Sequence, residues 1–155
     1  MIAKEFETFL LSHLDNYLIP AEALAIFIDT HKADHVLLLL ANNGYSRVPV
    51  ITKDKKYLGT ISISDIMSHQ SKNYLADWEL TQLDIGKIVN NKIATINESS
   101  DLTETMHLLV DYPFLPVVNN NGIFIGIITR KSILKALNSL LHDFTDDYTI
   151  SPKHD

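Results

Sequence analysis

Apolar residues in this chain fall into short runs of two kinds. Ile26-Phe27-Ile28, Val48-Pro49-Val50-Ile51 and Tyr57 to Ile63 have the length and β-branched content of strands, while Val36 to Ala41 reads as one face of a helix ending at Asn42-Asn43-Gly44. Gly44 can adopt the left-handed conformation that stops such a helix. Thr52 to Lys56 and Asn119 to Gly122 are predicted as hairpin turns, the second with an Asn-Gly pair that tolerates positive φ. The predicted unit is strand, helix, strand, strand, helix, so the fold class is α/β.

The unit occurs twice. Arg47-Val48-Pro49-Val50 followed by Leu58-Gly59-Thr60-Ile61-Ser62 returns as Leu115-Pro116-Val117 followed by Ile125-Gly126-Ile127-Ile128-Thr129. Pro49 and Pro116, Gly59 and Gly126, and Ser62 and Thr129 are each 67 residues apart, whereas Leu24 to Asp29 matches Ile93 to Glu98 at a spacing of 69. The two-residue slip falls in the helix-to-strand turn, which holds Gly44 in the first copy alone. A period that carries turn residues as well as apolar ones marks a duplicated unit. Ser62 and Thr129 stand between a strand end and a helix start, where a hydroxyl caps free N–H groups and a phosphate can replace it.

The expected organisation is an N-terminal helix over 1–17, a first repeat over 18–68, a linker helix over 69–87, a second repeat over 88–141 and a flexible tail over 142–155. Phe6, Phe9, Leu10, Leu14 and Tyr17 give the lead-in segment a helical apolar stripe. Tyr74, Leu75, Trp78, Leu80 and Leu83 in the linker are read as packing residues, and the acidic, Pro152-containing end as frayed. The two repeats are expected to share one core.

Composition narrows the function. The 155 residues are 46% hydrophobic and 21% charged, ordinary for a globular domain. Without cysteine there is no disulfide scaffold, thiol nucleophile or thiolate metal site. Charged residues Lys4, Glu5, Glu7 and Asp15 near the start predict neither a signal peptide nor a membrane span, so a cytoplasmic location is expected. A formal charge of −6 argues against broad binding to nucleic acid or anionic membrane. His31 and His35 have the i, i+4 spacing of zinc ligands but no evident third ligand, so no metal is expected. No nucleophile elbow, P-loop or dinucleotide-binding glycine run occurs, and an enzyme is not expected.

The string hydrophobic-Pro-Val, turn, Gly-hydrophobic-hydrophobic-Ser/Thr resembles the cystathionine-β-synthase (CBS) motif, and two copies resemble a CBS pair, or Bateman module. Ile19-Pro20 before the first strand, Gly44-Tyr45-Ser46 before the second and Thr129-Arg130-Lys131 with Ile133-Leu134-Lys135 are similar to the small cyclic-di-AMP-binding CBS proteins of Gram-positive bacteria. The resemblance implies nucleotide clefts that combine the early strands of one repeat with the strand-to-helix turn of the other. The cyclic-di-AMP cleft would comprise Ala23, Ala25, Tyr45, Ser46, Arg47, Val48 and Pro49 with Ile128, Thr129, Arg130, Lys131 and Ser132. Arg47 and Arg130, the chain's two arginines, would face each other there and hold phosphate together with Lys131. Similar proteins often carry a basic residue at the position of Ala23, so this cleft offers fewer phosphate contacts.

A second adenosine cleft would hold Ser62, Ser64 and Asp65 against Ile93, Thr95, Phe114 and Leu115. The family motif has an Asp three residues after the Ser/Thr, a clamp for a ribose diol; Asp65 keeps it and Ser132 replaces it. A cyclic dinucleotide has no free diol to clamp and carries negative charge nearby, which suits serine flanked by Arg and Lys. Asp65 is equally read as a helix-dipole partner. The implied function is a non-enzymatic cyclic-di-AMP receptor without a cofactor, acting as a homodimer on a protein partner such as a stringent-response synthetase/hydrolase or pyruvate carboxylase. The alternative is a generic AMP-, ADP- or ATP-sensing regulator. The dimer face is expected on Ile66, Met67, Ile133, Leu134, Leu137 and Leu141.

Overall fold

The computed structural model describes residues 2–11 and 17–154. The order is α1 (Lys4–Leu11), β1 (Leu18–Pro20), a 3-10 turn (Ala21–Ala23), β2 (Phe27–Ile28), α2 (Ala33–Asn43), β3 (Val48–Ile51), β4 (Tyr57–Ile61) and α3 (Ile63–Lys72). Then come α4 (Asp77–Leu80), a 3-10 turn (Ile85–Lys87), α5 (Leu102–Asp111), β5 (Phe114–Val118), β6 (Phe124–Thr129) and α6 (Arg130–Asp147). The α/β reading of two strand-helix-strand-strand-helix units is the architecture found. Leu14 of the expected lead-in stripe lies outside the described residues.

Each repeat builds a three-stranded sheet, ordered β2-β3-β4 and β1-β6-β5. β2 runs parallel to β3 with Phe27 level with Val50, and β3 turns back on β4 with Val48 opposite Ile61. In the second repeat Leu115 pairs with Ile128 in the same sense, and a parallel bridge from Ile96 to Val117 takes the place of β2. β1 precedes the first repeat in sequence yet pairs with the last strand of the second, Leu18 opposite Ile128 and Pro20 opposite Gly126. The segment after the second 3-10 turn makes the reciprocal contact, with Asn90 bridging Thr60 on β4.

This exchange explains the motif glycines. A Cβ on Gly126 would lie 2.1 Å from the Ile19 carbonyl oxygen, and one on Gly59 would lie 2.7 Å from that of Asn90. In both repeats glycine stands where a segment from outside the hairpin crosses the last strand. The hairpin tips also join: Tyr57 N donates to Gly122 O at 3.0 Å and Phe124 N donates to Lys55 O at 2.9 Å. Gly122 takes φ 79° as the Asn-Gly turn predicts, and at the equivalent place in the first turn Lys55 adopts φ 66°. Gly44 ends α2 in the left-handed conformation, φ 68°.

Three expectations are corrected. The core is not shared: Val36, Leu40, Val50, Ile61 and Ile66 pack under the first sheet with Leu80 and Ile85, while Leu109, Leu115, Val117 and Ile133 pack under the second with Leu10 and Tyr17. Each three-stranded sheet is covered by its own helices, so each apolar face is buried locally. The expected linker helix over 69–87 is instead the end of α3, the single turn α4 and a 3-10 turn. Ala33 N, Ile85 N and Gly86 N donate to the carbonyls of Leu83, His31 and Asp29, which straps the end of this segment onto the first repeat. The tail does not begin at 142, because α6 continues to Asp147. Phe144 is buried with Phe9 and Leu140 and stacks on Tyr148 with ring centroids 4.4 Å apart, so apolar contact with α1 holds the helix beyond the acidic residues.

Candidate functional site: the two strand-to-helix turns

The two turns share a backbone and differ in chemistry. Ser62 Oγ accepts from Asp65 N at 3.1 Å and Asp65 Oδ2 accepts from Ser62 N at 3.0 Å, a reciprocal capping box at the start of α3. In the second repeat Thr129 Oγ1 accepts from Ser132 N at 3.1 Å, and the two hydroxyls are 2.8 Å apart. The first turn of α6 therefore has no acidic residue and carries Arg130 and Lys131. Its N–H groups and positive dipole end have no carboxylate to offset them, a favourable setting for an anion.

Strand register decides where Arg47 goes. Because Val48 lies opposite Ile61, residue 47 lies opposite Ser62. Arg47 Nη1 donates to Asp65 Oδ2 at 2.8 Å and to Thr60 Oγ1 at 2.9 Å, and Nη2 donates to Ser62 Oγ at 3.3 Å. Asn90 Nδ2 completes the group by donating to Asp65 Oδ1 at 3.4 Å. Arg130 is held elsewhere: its Nε and Nη2 donate to the carbonyls of Leu109 and Val110 at the end of α5, at 2.8 and 3.1 Å. Both guanidinium groups of the expected phosphate clamp thus already have local acceptors. Arg47 also contacts Ser62 and Asp65, which were expected in the other cleft.

Among the remaining expected residues, Ala23, Ala25, Tyr45, Ser46 and Lys131 are exposed. The parallel register of β2 on β3 carries the Ala23–Ala25 segment past the start of β3, beside the Tyr45–Arg47 turn. Val48 and Pro49 are buried, as is Leu115, the counterpart of Val48; the side chains of Val48 and Leu115 belong to the cores. Ile128 is half-buried between β1 and β5. For the second cleft, Phe114 lies opposite Thr129, Ser64 and Thr95 are exposed, and Ile93 is half-buried. Tyr112, 67 residues after Tyr45, donates its hydroxyl to Lys92 O at 3.4 Å and ties that turn to the segment before Ile93. Tyr45 has no such bond among the described residues and is exposed.

Thr60 and Asn90 are members of the Arg47–Asp65 network that the sequence reading missed. Thr60 is fully buried, and its hydroxyl accepts from Arg47 while lying 3.4 Å from Asn90 O. The hairpin register alone, which pairs 47 with 62, was the available signal for the Arg47 contacts. Tyr57 is also close to this group: its hydroxyl is buried without a partner among the described residues, burial pushes its pKa up to about 12, and the Arg47 charge partly opposes that shift. A partly open cavity of about 290 Å³ lies between β1, α1, α5 and α6, with Ile128 the one residue of the expected cyclic-di-AMP cleft in its wall. Its walls are mainly apolar and include none of the phosphate-binding candidates, so we assign it to packing rather than to the cleft.

The CBS domain model matches residues 21–72 and 85–139, two copies that together cover most of the chain. The chain belongs to the CBS-domain family. Its match to CbpB from Streptococcus agalactiae is 72% identical, covers 98% of this chain and 96% of that one, and has a TM-score of 0.95. A structure of CbpB in complex with c-di-AMP is likewise 72% identical, with 94% of this chain and 97% of that one covered and a TM-score of 0.86. Among curated proteins, cyclic di-AMP receptor B of Bacillus subtilis is 24% identical over 89% of this chain and 95% of its own length. These relatives are CBS proteins of matching length, in keeping with a receptor or regulator. No helix among the described residues of this CBS pair is long and apolar enough to cross a membrane.

Proposed function

We propose that this CBS pair is a non-enzymatic receptor for cyclic-di-AMP that signals by ligand-dependent binding of a partner protein. The observation that carries the reading is the 72% identity, over nearly the whole chain, to a CbpB crystallised with c-di-AMP. The chemistry of the second turn supports it: Ser132 in place of an acid, with Arg130, Lys131 and the α6 N-terminus beside it, suits a phosphodiester without a ribose diol. In this reading the ligand enters between Ala23, Ala25 and the Tyr45–Pro49 turn on one side and Ile128 to Ser132 on the other. Main-chain groups near Ala25 and Ser46 read the adenine edge, and the basic residues hold phosphate.

Asp65, the residue on which a generic adenosine reading rests, already accepts from Ser62 N, Arg47 and Asn90. That arrangement favours the cyclic dinucleotide over an AMP-type ligand. Calorimetric titration of cyclic-di-AMP, AMP, ATP and cyclic-di-GMP provides the test. We expect cyclic-di-AMP to bind and cyclic-di-GMP not to, because guanine reverses the donor and acceptor pattern at the edge. Arg130→Ala should weaken cyclic-di-AMP by about 1.5–3 kcal/mol, the range for a charged hydrogen bond. Binding of AMP or ATP without cyclic-di-AMP would reject the reading.

The partner step has the form of linkage: a messenger that lowers partner affinity is itself bound less tightly when the partner is present. We assign the partner-binding state to the unliganded protein, with a stringent-response enzyme or a similar metabolic target as the partner and release on ligand binding. Added messenger should strip captured partners from the wild type and not from Arg130→Ala. Recruitment only with ligand rejects release.

A further inference from the structure

A part-buried network at the first strand-to-helix turn places a carboxylate where an incoming phosphate would compete. Arg47 and Asp65 are joined at 2.8 Å, with their side chains 22% and 18% exposed, so water screens the pair only partly. The cap itself requires just one acceptor oxygen for Ser62 N, which a neutral amide could supply. The negative charge is matched to the arginine. The second repeat supports this division, for its equivalent positions 114, 129 and 132 are Phe, Thr and Ser, and the cap there forms with neither charge present. Charge and countercharge occur together in one repeat and are missing together from the other.

We propose that Asp65 is an internal competitor for Arg47: it occupies the guanidinium in the unliganded protein and must give it up when Arg47 turns to a ligand phosphate. Asp65 thereby sets the affinity of the cleft from outside it. The inference rests on the cyclic-di-AMP reading and specifies the cost that this ligand meets. Thr60 and Asn90 steady the paired arrangement, because they hold the two partners from β4 and from the start of the second repeat.

The test is calorimetry with cyclic-di-AMP on the wild type, Asp65→Asn, Arg47→Ala and the double variant. Asparagine keeps the size of the side chain and an oxygen for Ser62 N, and thermal unfolding confirms that each variant is folded. Asp65→Asn should bind at least about tenfold more tightly than the wild type, and the gain should vanish in the Arg47→Ala background. Equal or weaker binding by Asp65→Asn, or a gain that survives without Arg47, overturns the inference while leaving the receptor reading standing. Failure of all four proteins to bind overturns the receptor reading and the inference with it.

Discussion

At the residue scale, the duplication works as an internal control, since each position of the first hairpin and its helix entry has a counterpart 67 residues away. Tyr57 and Phe124 are such a pair, stacked with centroids 5.9 Å apart where the two hairpins meet. Phe124 satisfies this environment, whereas the Tyr57 hydroxyl is buried without a partner among the described residues. Removing such a group costs nothing in lost hydrogen bonding, so Tyr57→Phe should stabilise the protein by about 1 kcal/mol near neutral pH. The pH dependence has a definite sign. The folded-state pKa of about 12 lies above the ordinary tyrosine value of 10.0, so the neutral phenol's contribution is intact below pH 10 and is lost as pH rises through 12. Denaturant midpoints at pH 8 and 11.5 should therefore fall further for the wild type than for Tyr57→Phe. An equal fall in both would locate the alkaline sensitivity elsewhere. Lys55 and Gly122 are a second pair, in which lysine holds a positive φ that glycine adopts without steric cost.

At the element scale, β1 is three residues long and is held by its pairing with β6. Adding a methyl group at Gly126 forces the Ile19 carbonyl away and parts the two strands. Gly126→Ala should cost more than ~3 kcal/mol, above the ordinary range for a point substitution, and Gly59→Ala should cost less because its crossing carbonyl lies farther off. Chemical denaturation measures both, and a loss at Gly126 no larger than that of an exposed-site variant would show that the crossing is not tight. The α6 extension follows the same logic of tertiary capture: acidic residues at 143, 146 and 147 weaken the end of a helix, yet Phe144 is buried against α1. A residue pattern that reads as a tail on its own becomes helix when an apolar partner is supplied from the other end of the chain.

At the scale of the whole molecule, the expected dimer face has to be redrawn. Ile66 and Ile133 are 0% and 6% exposed and belong to the cores, leaving Met67, Leu134 and Leu141 at 49%, 57% and 82% as the apolar surface of α3 and α6. Two helices presenting large apolar side chains to water favour a symmetric pairing that removes them from it. Light scattering should give twice the chain mass at tens of micromolar, and Leu134→Glu with Leu141→Glu should shift the protein to monomer. A wild-type monomer with and without ligand would reject this assembly.

The duplicated strands, the glycine and hydroxyl positions and the change from Asp65 to Ser132 were legible in the sequence because each depends on local backbone geometry or on a spacing that repeats. Their roles were legible only in part. Both strand-to-helix caps follow from a hydroxyl three residues before an acceptor or amide, a local relationship. The glycines at 59 and 126 read as motif residues early in a predicted strand, whereas tertiary structure makes them crossing points for Asn90 and β1. The arginines were found by their scarcity, but their partners depend on strand register and on how each rotatable side chain meets the nearest acceptor. For Arg47 that acceptor is Asp65, 18 residues away in sequence, and for Arg130 it is the end of α5, about 20 residues before it. Sequence spacing determined which chemical groups stand at the turns; only the paired strands and packed helices decided which of them are already engaged before any ligand arrives.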